Sequence, residues 1–117
     1  MSTYVPQILS GSTNGLGIKV NATATVGDTI HTAVAGTTHF DQIYLYAVNT
    51  STTAVKLTLE WGTGTAADGN IEQTIQPEDG LTFLIDNLPL RNGLLVTAFA
   101  GTADVILIFG GVRAYTV

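Results

Sequence analysis

The residues able to do chemistry are few and dispersed. There is no cysteine, hence no thiolate nucleophile, no disulfide and no cysteine–zinc site. The four serines, Ser2, Ser10, Ser12 and Ser51, fall in arm or turn segments with no glycine elbow to expose a hydroxyl. His31 and His39 flank a stretch centred on Ala35. If that stretch is a hairpin, the two rings face each other and could gather a metal across a symmetry axis. A structural zinc site wants four ligands, however, and the neighbouring sequence supplies no others. Two histidines at the shoulders of a loop is the plainer reading.

The acids are equally scattered. Asp68-Gly69-Asn70 and Glu78-Asp79-Gly80 look like fragments of calcium loops, but the alternating oxygen ligands and closing glutamate are missing. Acids beside glycine are ordinary turn formers. Glu60 and Glu72 could meet across neighbouring strands as a glycosidase pair. Nothing marks a cleft between them, and Glu60 is expected on the wet face of its strand. Residues 11–17 are glycine-rich but precede a strand and lack the lysine of a phosphate-binding loop. Asn21-Ala22-Thr23 and Asn49-Thr50-Ser51 fit the glycosylation acceptor pattern, as a threonine-rich chain will by chance. No catalytic residue, metal ligand or cofactor is expected, and the chain is not read as an enzyme.

The composition bounds the partners. The chain has 117 residues, enough for one domain with its own core. Only 11% of residues are charged, against about 25% in an ordinary soluble domain. Threonine (19), glycine (13) and alanine (12) fill the deficit. Net charge is −5, and the four cations, Lys19, Lys56, Arg91 and Arg113, stand singly. Neutralising phosphates needs clustered cations, so nucleic acid is not an expected partner. The same scatter excludes a basic membrane-surface helix. The longest apolar run, 105–112, is too short to span a bilayer as a helix, and no membrane partner is expected. The opening Met1-Ser2-Thr3-Tyr4-Val5-Pro6 lacks a charged start followed by a long apolar run and is not read as a secretory signal.

The elements that position these residues are strands. Stretches rich in Val, Ile and Thr recur every 10–14 residues, separated by Gly, Asn, Asp, Ser and Pro. That rhythm predicts an all-β sandwich or closed barrel, and eight or nine antiparallel strands in this length fit a two-sheet jelly roll. Strands are expected at 4–9, 16–25, 29–34, 40–48, 55–61, 70–76, 81–85, 93–100 and 105–114. Pro6 makes the first an edge strand or an extended arm, because proline lacks a ladder donor. Residues 1–15 are therefore taken as an N-terminal arm and linker, and 16–117 as one sandwich domain.

In the strand at 55–61, Val55, Leu57, Leu59 and Trp61 alternate with Lys56, Thr58 and Glu60, so the first four are expected inside. Trp61 continues this apolar face and reads as core more than as a sugar platform. Leu81, Phe83 and Ile85 are expected to share a face. Three other strands are apolar on both faces, which one sandwich core does not require. In the first, Ile43, Leu45 and Ala47 oppose Phe40, Tyr44, Tyr46 and Val48. In the second, Leu94, Val96 and Ala98 oppose Leu95 and Phe99. In the third, Val105, Leu107 and Phe109 oppose Ile106 and Ile108. Second faces of this kind predict a homo-oligomer, with Phe40, Tyr44, Tyr46, Phe99, Ile106 and Ile108 as its interface.

Four phrases carry a resemblance. They are Asp41-Gln42-Ile43-Tyr44-Leu45-Tyr46-Ala47-Val48-Asn49, Ala54-Val55-Lys56-Leu57-Thr58-Leu59-Glu60-Trp61-Gly62, Asn92-Gly93-Leu94-Leu95-Val96-Thr97-Ala98-Phe99-Ala100, and the closing Ile106-Leu107-Ile108-Phe109-Gly110-Gly111-Val112-Arg113. Over about residues 16–117 the chain resembles small capsid decoration, or cement, proteins of tailed bacteriophages, especially those of marine and cyanobacterial hosts. The last residues, Ala114-Tyr115-Thr116-Val117, depart from the polar ending of that group. The resemblance implies a jelly-roll homotrimer on the outer capsid surface of a virion assembled in the host cytoplasm. It would clamp the major capsid protein against internal DNA pressure. The group has no active-site motif, so no defined site is carried over.

Attachment to the shell is expected through the N-terminal arm, with Tyr4, Val5, Pro6, Ile8 and Leu9 as the capsid-binding residues, by strand addition to a neighbouring sheet edge. The opposing expectation is that the arm pairs within its own trimer. The competing functions are a β-structured tail or receptor-binding piece and a carbohydrate-binding module. The latter would expose its aromatic residues.

Overall fold

A computed structural model describes residues 2–116. Nine strands form: β1 (Thr3–Gln7), β2 (Ile18–Val20), β3 (Asp28–Thr32), β4 (Phe40–Asn49), β5 (Val55–Trp61), β6 (Asn70–Ile75), β7 (Thr82–Leu90), β8 (Leu95–Ala100) and β9 (Ile106–Thr116). Sheet A runs β1-β9-β4-β7, with β2 also against β9, and sheet B runs β3-β8-β5-β6. All pairings are antiparallel. Because β1 and β2 lie end to end along β9, they act as one split strand. The pairs β1/β2 with β9, β3 with β8, β4 with β7 and β5 with β6 are then nested like the two arms of one long folded hairpin. That nesting across two sheets is a jelly roll.

The core lies between the sheets and is almost wholly aliphatic. Ile43, Leu45 and Ala47 of β4, Leu57 and Leu59 of β5, Val96 and Ala98 of β8, and Ile106 and Ile108 of β9 are fully buried. Branched side chains alternating at period two suit this pleated surface. Trp61 packs against the edge of the core rather than within it.

Several expectations are revised. The strand expected at 16–25 stops at Val20, because Asp28 Oδ2 takes the next two N–H groups, Asn21 at 2.6 Å and Ala22 at 2.9 Å. Residues 21–27 leave the ladder as a loop, and Val26 is 67% exposed. The seventh strand continues through Pro89 to Leu90, where a connection was expected. It is the edge of sheet A, where a missing N–H is tolerated. A register shift against β4 between Ile85 and Phe83 turns Phe83 out to solvent and leaves Ile85 inside, while Leu81, also exposed, precedes the strand.

The first segment, read as an edge strand or an extended arm, is an edge strand. β1 pairs with β9 of its own chain over five residues, Thr3↔Thr116 to Gln7↔Val112. Leu9 is 2% exposed, in the core. The link at 10–15 is tied down at its start, where the Gly11 N–H donates to Ile30 O (3.0 Å) and Ser10 Oγ accepts from the Thr32 N–H (2.7 Å).

Candidate functional site

The outward residues of sheet A follow from its register. Phe40 lies beside Tyr115, Gln42 beside Arg113, Tyr44 beside Gly111, Tyr46 beside Phe109 and Val48 beside Leu107. Tyr4 continues the row beyond Tyr115, and Phe83 continues it beyond Tyr46. Seven of the nine aromatic residues (four Phe, four Tyr, one Trp) thus share one outer face.

The rings are organised against one another. Phe40 stacks on Tyr115 with centroids 4.6 Å apart, Tyr4 tilts against Tyr115 at 5.0 Å, and Phe83 stands edge-on to Tyr46 at 6.2 Å. Two glycines make room for the rest. A Cβ at Gly111 would collide with the Tyr44 hydroxyl oxygen, and one at Gly17 would lie 2.7 Å from the Phe109 ring. An aromatic ring laid over a cross-strand glycine restores the packing that the glycine lacks. Lys19 and Arg113 are on the same face by register.

The expected interface residues therefore separate. Phe40, Tyr44 and Tyr46 lie half-buried on this face, as expected. Phe99 lies on the opposite side of the molecule, on the outer face of sheet B, since Ala98 and Ala100 beside it point into the core. Ile106 and Ile108 are fully enclosed and offer nothing to a second chain. Their outward neighbours Leu107 and Phe109, with Tyr115 further along, occupy the position assigned to them. Both parities of β9 are apolar, so alternation showed two faces without showing which was inward.

Of the expected capsid-binding residues, Tyr4, Val5, Pro6 and Ile8 are exposed and Leu9 is buried. Pro6 pairs with Arg113. Having no N–H to give the ladder, Pro6 must turn its nitrogen to the free edge, where an added strand would need a donor. That edge is blunted against strand addition.

The strands divide the loops between two ends. Loops 33–39, 62–69 and 91–94 lie at one end, near Thr3 and Thr116; loops 50–54, 76–81 and 101–105 lie at the other. Two grooves adjoin at the first end. A larger one, of about 680 Å³, runs between Phe40, Gln42, Pro89, Leu90, Arg91 and Leu94. A smaller one, of about 280 Å³, runs past Leu94, Leu95 and Val26 to Thr97. Leu94 lines both, and among the described residues Arg91 is the only charged one lining either. Its Nη1 donates to Thr37 O at 2.7 Å, which fixes the guanidinium over the groove.

Two buried polar clusters were not legible as such. His31 and His39 do not face each other across a hairpin, because β3 and β4 belong to different sheets. Instead His31 Nε2 lies 2.8 Å from Asp41 Oδ2, both residues 4% exposed. His31 Nδ1 accepts the Ser10 N–H at 3.0 Å, and Asp41 Oδ2 also accepts the Val34 N–H at 3.1 Å. With Nδ1 occupied as an acceptor, the tautomer places the proton on Nε2, toward the carboxylate. No ring nitrogen is left to activate the Ser10 hydroxyl, and the cluster works as a clasp between the sheets and the β1–β2 link.

Glu60 is the second. It is 1% exposed on the outer face of sheet B, not wet as expected. Oε1 accepts from the Gly27 N–H and the Thr97 hydroxyl, each at 2.7 Å, and Oε2 accepts from the Thr25 hydroxyl. Burial pushes its carboxyl up, but these donors outweigh it and hold the group below its ordinary value. Loop 21–27 is thereby fastened over sheet B. Glu72 stands opposite Thr58 and pairs with Lys56 at 2.9 Å, so the two glutamates are engaged separately.

Asn49 has a buried side chain that donates to Thr53 O and Ile75 O and accepts from Ser51. Its amide is committed to the fold. Among the described residues, no group of three or more His, Asp or Glu could hold a metal ion, and no helix is long and apolar enough to cross a membrane. No protein-family model, curated protein or solved structure matches the chain.

Proposed function

We propose that the chain is a structural protein of a virus particle: a homotrimer that decorates the outer surface of a tailed-phage head and stabilises the shell of major capsid protein. The observation that carries this reading is the aromatic outer face of sheet A. The molecule measures 48 × 28 × 20 Å, so its sheet faces are broad and its ends narrow. A broad face bearing seven aromatic rings, on a chain with only 11% charged residues, is matched to burial against copies of itself. The four phrases that resemble decoration proteins coincide with β4, β5, β8 and β9, the central strands of both sheets. They support the likeness in framework.

The test has two parts. Light scattering at micromolar concentration is expected to give the mass of a trimer. Adding the protein to purified DNA-filled heads that lack it is expected to raise the temperature at which they release DNA. A monomer, or heads that rupture unchanged, would count against the proposal.

A second reading has one observation in its favour. Tyr4 and Phe83 are more than half exposed on the aromatic face, as a glycan-binding module of a tail or receptor-binding protein requires. Binding on a glycan array by the intact oligomer would favour that reading.

A further inference from the structure

We propose that the paired grooves at the end bearing Arg91 are where the protein docks on the shell, receiving a shell-protein segment that sets apolar side chains beside a carboxylate. This rests on the decoration reading above and adds the place and chemistry of attachment.

Three observations carry it. First, the lining is apolar and open: Leu94 and Leu95 are 43% and 41% exposed, Val26 more so, and Leu94 joins the two grooves into one furrow. Concave apolar surfaces with a few fixed polar groups are suited to receiving side chains. Second, the furrow holds a fixed cation. Among the described residues Arg91 is the only charged one that lines it, and the bond to Thr37 O uses one of its five donors. A planar guanidinium held in place is suited to bidentate pairing with a carboxylate. Asp68, in loop 62–69, belongs to the same end but lines neither groove, and the loops at the opposite end carry Glu78, Asp79 and Asp104.

Third, the other candidates are committed. β1 is paired within its own chain and its free edge is blunted by Pro6, while the broad aromatic face is assigned to self-association. Phe40 and Gln42 line the furrow and also belong to the outward row of sheet A, so the furrow borders the self-association face and shares its margin. A cyclic trimer repeats the furrow three times at one level along its axis. Three weak contacts on a rigid body then hold far more tightly than one.

The experiment compares wild type with Leu94→Glu and Arg91→Glu, both at exposed positions, and with Arg91→Lys. Purified DNA-filled heads of the encoding virus, lacking the protein, serve as the probe. Co-sedimentation, mass by light scattering and melting temperature are read together. Both glutamate variants are expected to remain trimers with wild-type melting and to lose at least tenfold in head binding, with Arg91→Lys intermediate. If they bind heads undiminished while wild type binds, the furrow is not the docking site and the decoration reading stands. If either variant becomes monomeric with its fold intact, the furrow is a self-association surface and the proposal is overturned. If the wild-type trimer does not bind heads, the decoration reading and the docking site fall together.

Discussion

Tyr44 lies across Gly111 on the outer face of sheet A, its hydroxyl and ring where any side chain at 111 would stand. β4 supplies the ring and β9 the space, so an exposed sheet face gains a packed layer of its own. Replacing Gly111 with valine is expected to displace the ring and destabilise the fold by about 1–3 kcal/mol, the usual cost of overpacking. Urea unfolding of Gly111→Val checks this. Adding Tyr44→Ala to that variant should recover much of the loss, since the clash is with that ring.

The Glu60 clasp predicts a pH dependence with a definite sign. Its folded-state carboxyl is held below the ordinary value of 4.5. Such a group stabilises the fold fully above the unfolded value, and the contribution is lost as pH falls through the folded one. Glu60→Gln keeps the shape but replaces one acceptor oxygen with a donor facing hydroxyls. The difference in melting temperature between wild type and Glu60→Gln is expected to be constant near neutrality and to shrink as pH falls below 4.5. A difference independent of pH down to 2 would show that the carboxylate charge does not fasten loop 21–27.

His31 and Asp41 close a buried polar cluster whose members depend on one another. Asp41→Ala removes the acceptor of both His31 Nε2 and the Val34 N–H. A buried donor left without a partner costs about 1–3 kcal/mol. The variant is expected to lose at least that much stability, with faster hydrogen exchange at Val34 and Ser10 than elsewhere. Uniform exchange across the sheets would show that the cluster is not a local clasp.

The strands were legible because alternation needs only the sequence. Val55, Leu57 and Leu59 were placed inside and are inside. Leu57→Ala is expected to cost about 2–5 kcal/mol, as for any large-to-small change at a fully buried site. A shift of only a degree or two in melting temperature would contradict its burial. Side assignment failed where both parities were apolar. In β9 the choice between Ile108 and Phe109 is made by the partner strand, because Tyr46 lies beside Phe109 and the enclosed Ala47 beside Ile108. Glu60 was misplaced for a related reason. Alternation correctly turned it away from the sandwich core, but a loop more than thirty residues earlier folds over it. Loops that supply a second cover leave no periodic mark.

The N-terminal segment gives the sharpest contrast between sequence and structure. Four apolar residues among Tyr4–Leu9, a proline and a glycine-rich link left two readings open, an arm added to a neighbouring sheet edge or a strand paired within its own trimer. In the structure β1 runs antiparallel to β9 for five residues, Leu9 fills the core, and Ser10 bonds both His31 and Thr32. Deleting residues 1–9 therefore opens one edge of sheet A, exposes the flank of β9 and leaves a cavity where Leu9 sits. The cavity alone is expected to cost about 2–5 kcal/mol, a large share of the stability of a domain this size. The shortened chain is thus expected to melt far below wild type and to lose amide protection along β9. Leu9→Ala should show much of the destabilisation with β1 still present, whereas Pro6→Ala should leave melting nearly unchanged. A deletion variant that melts like wild type would mean that β1 is dispensable to the fold, and would favour the attachment-arm reading of the segment.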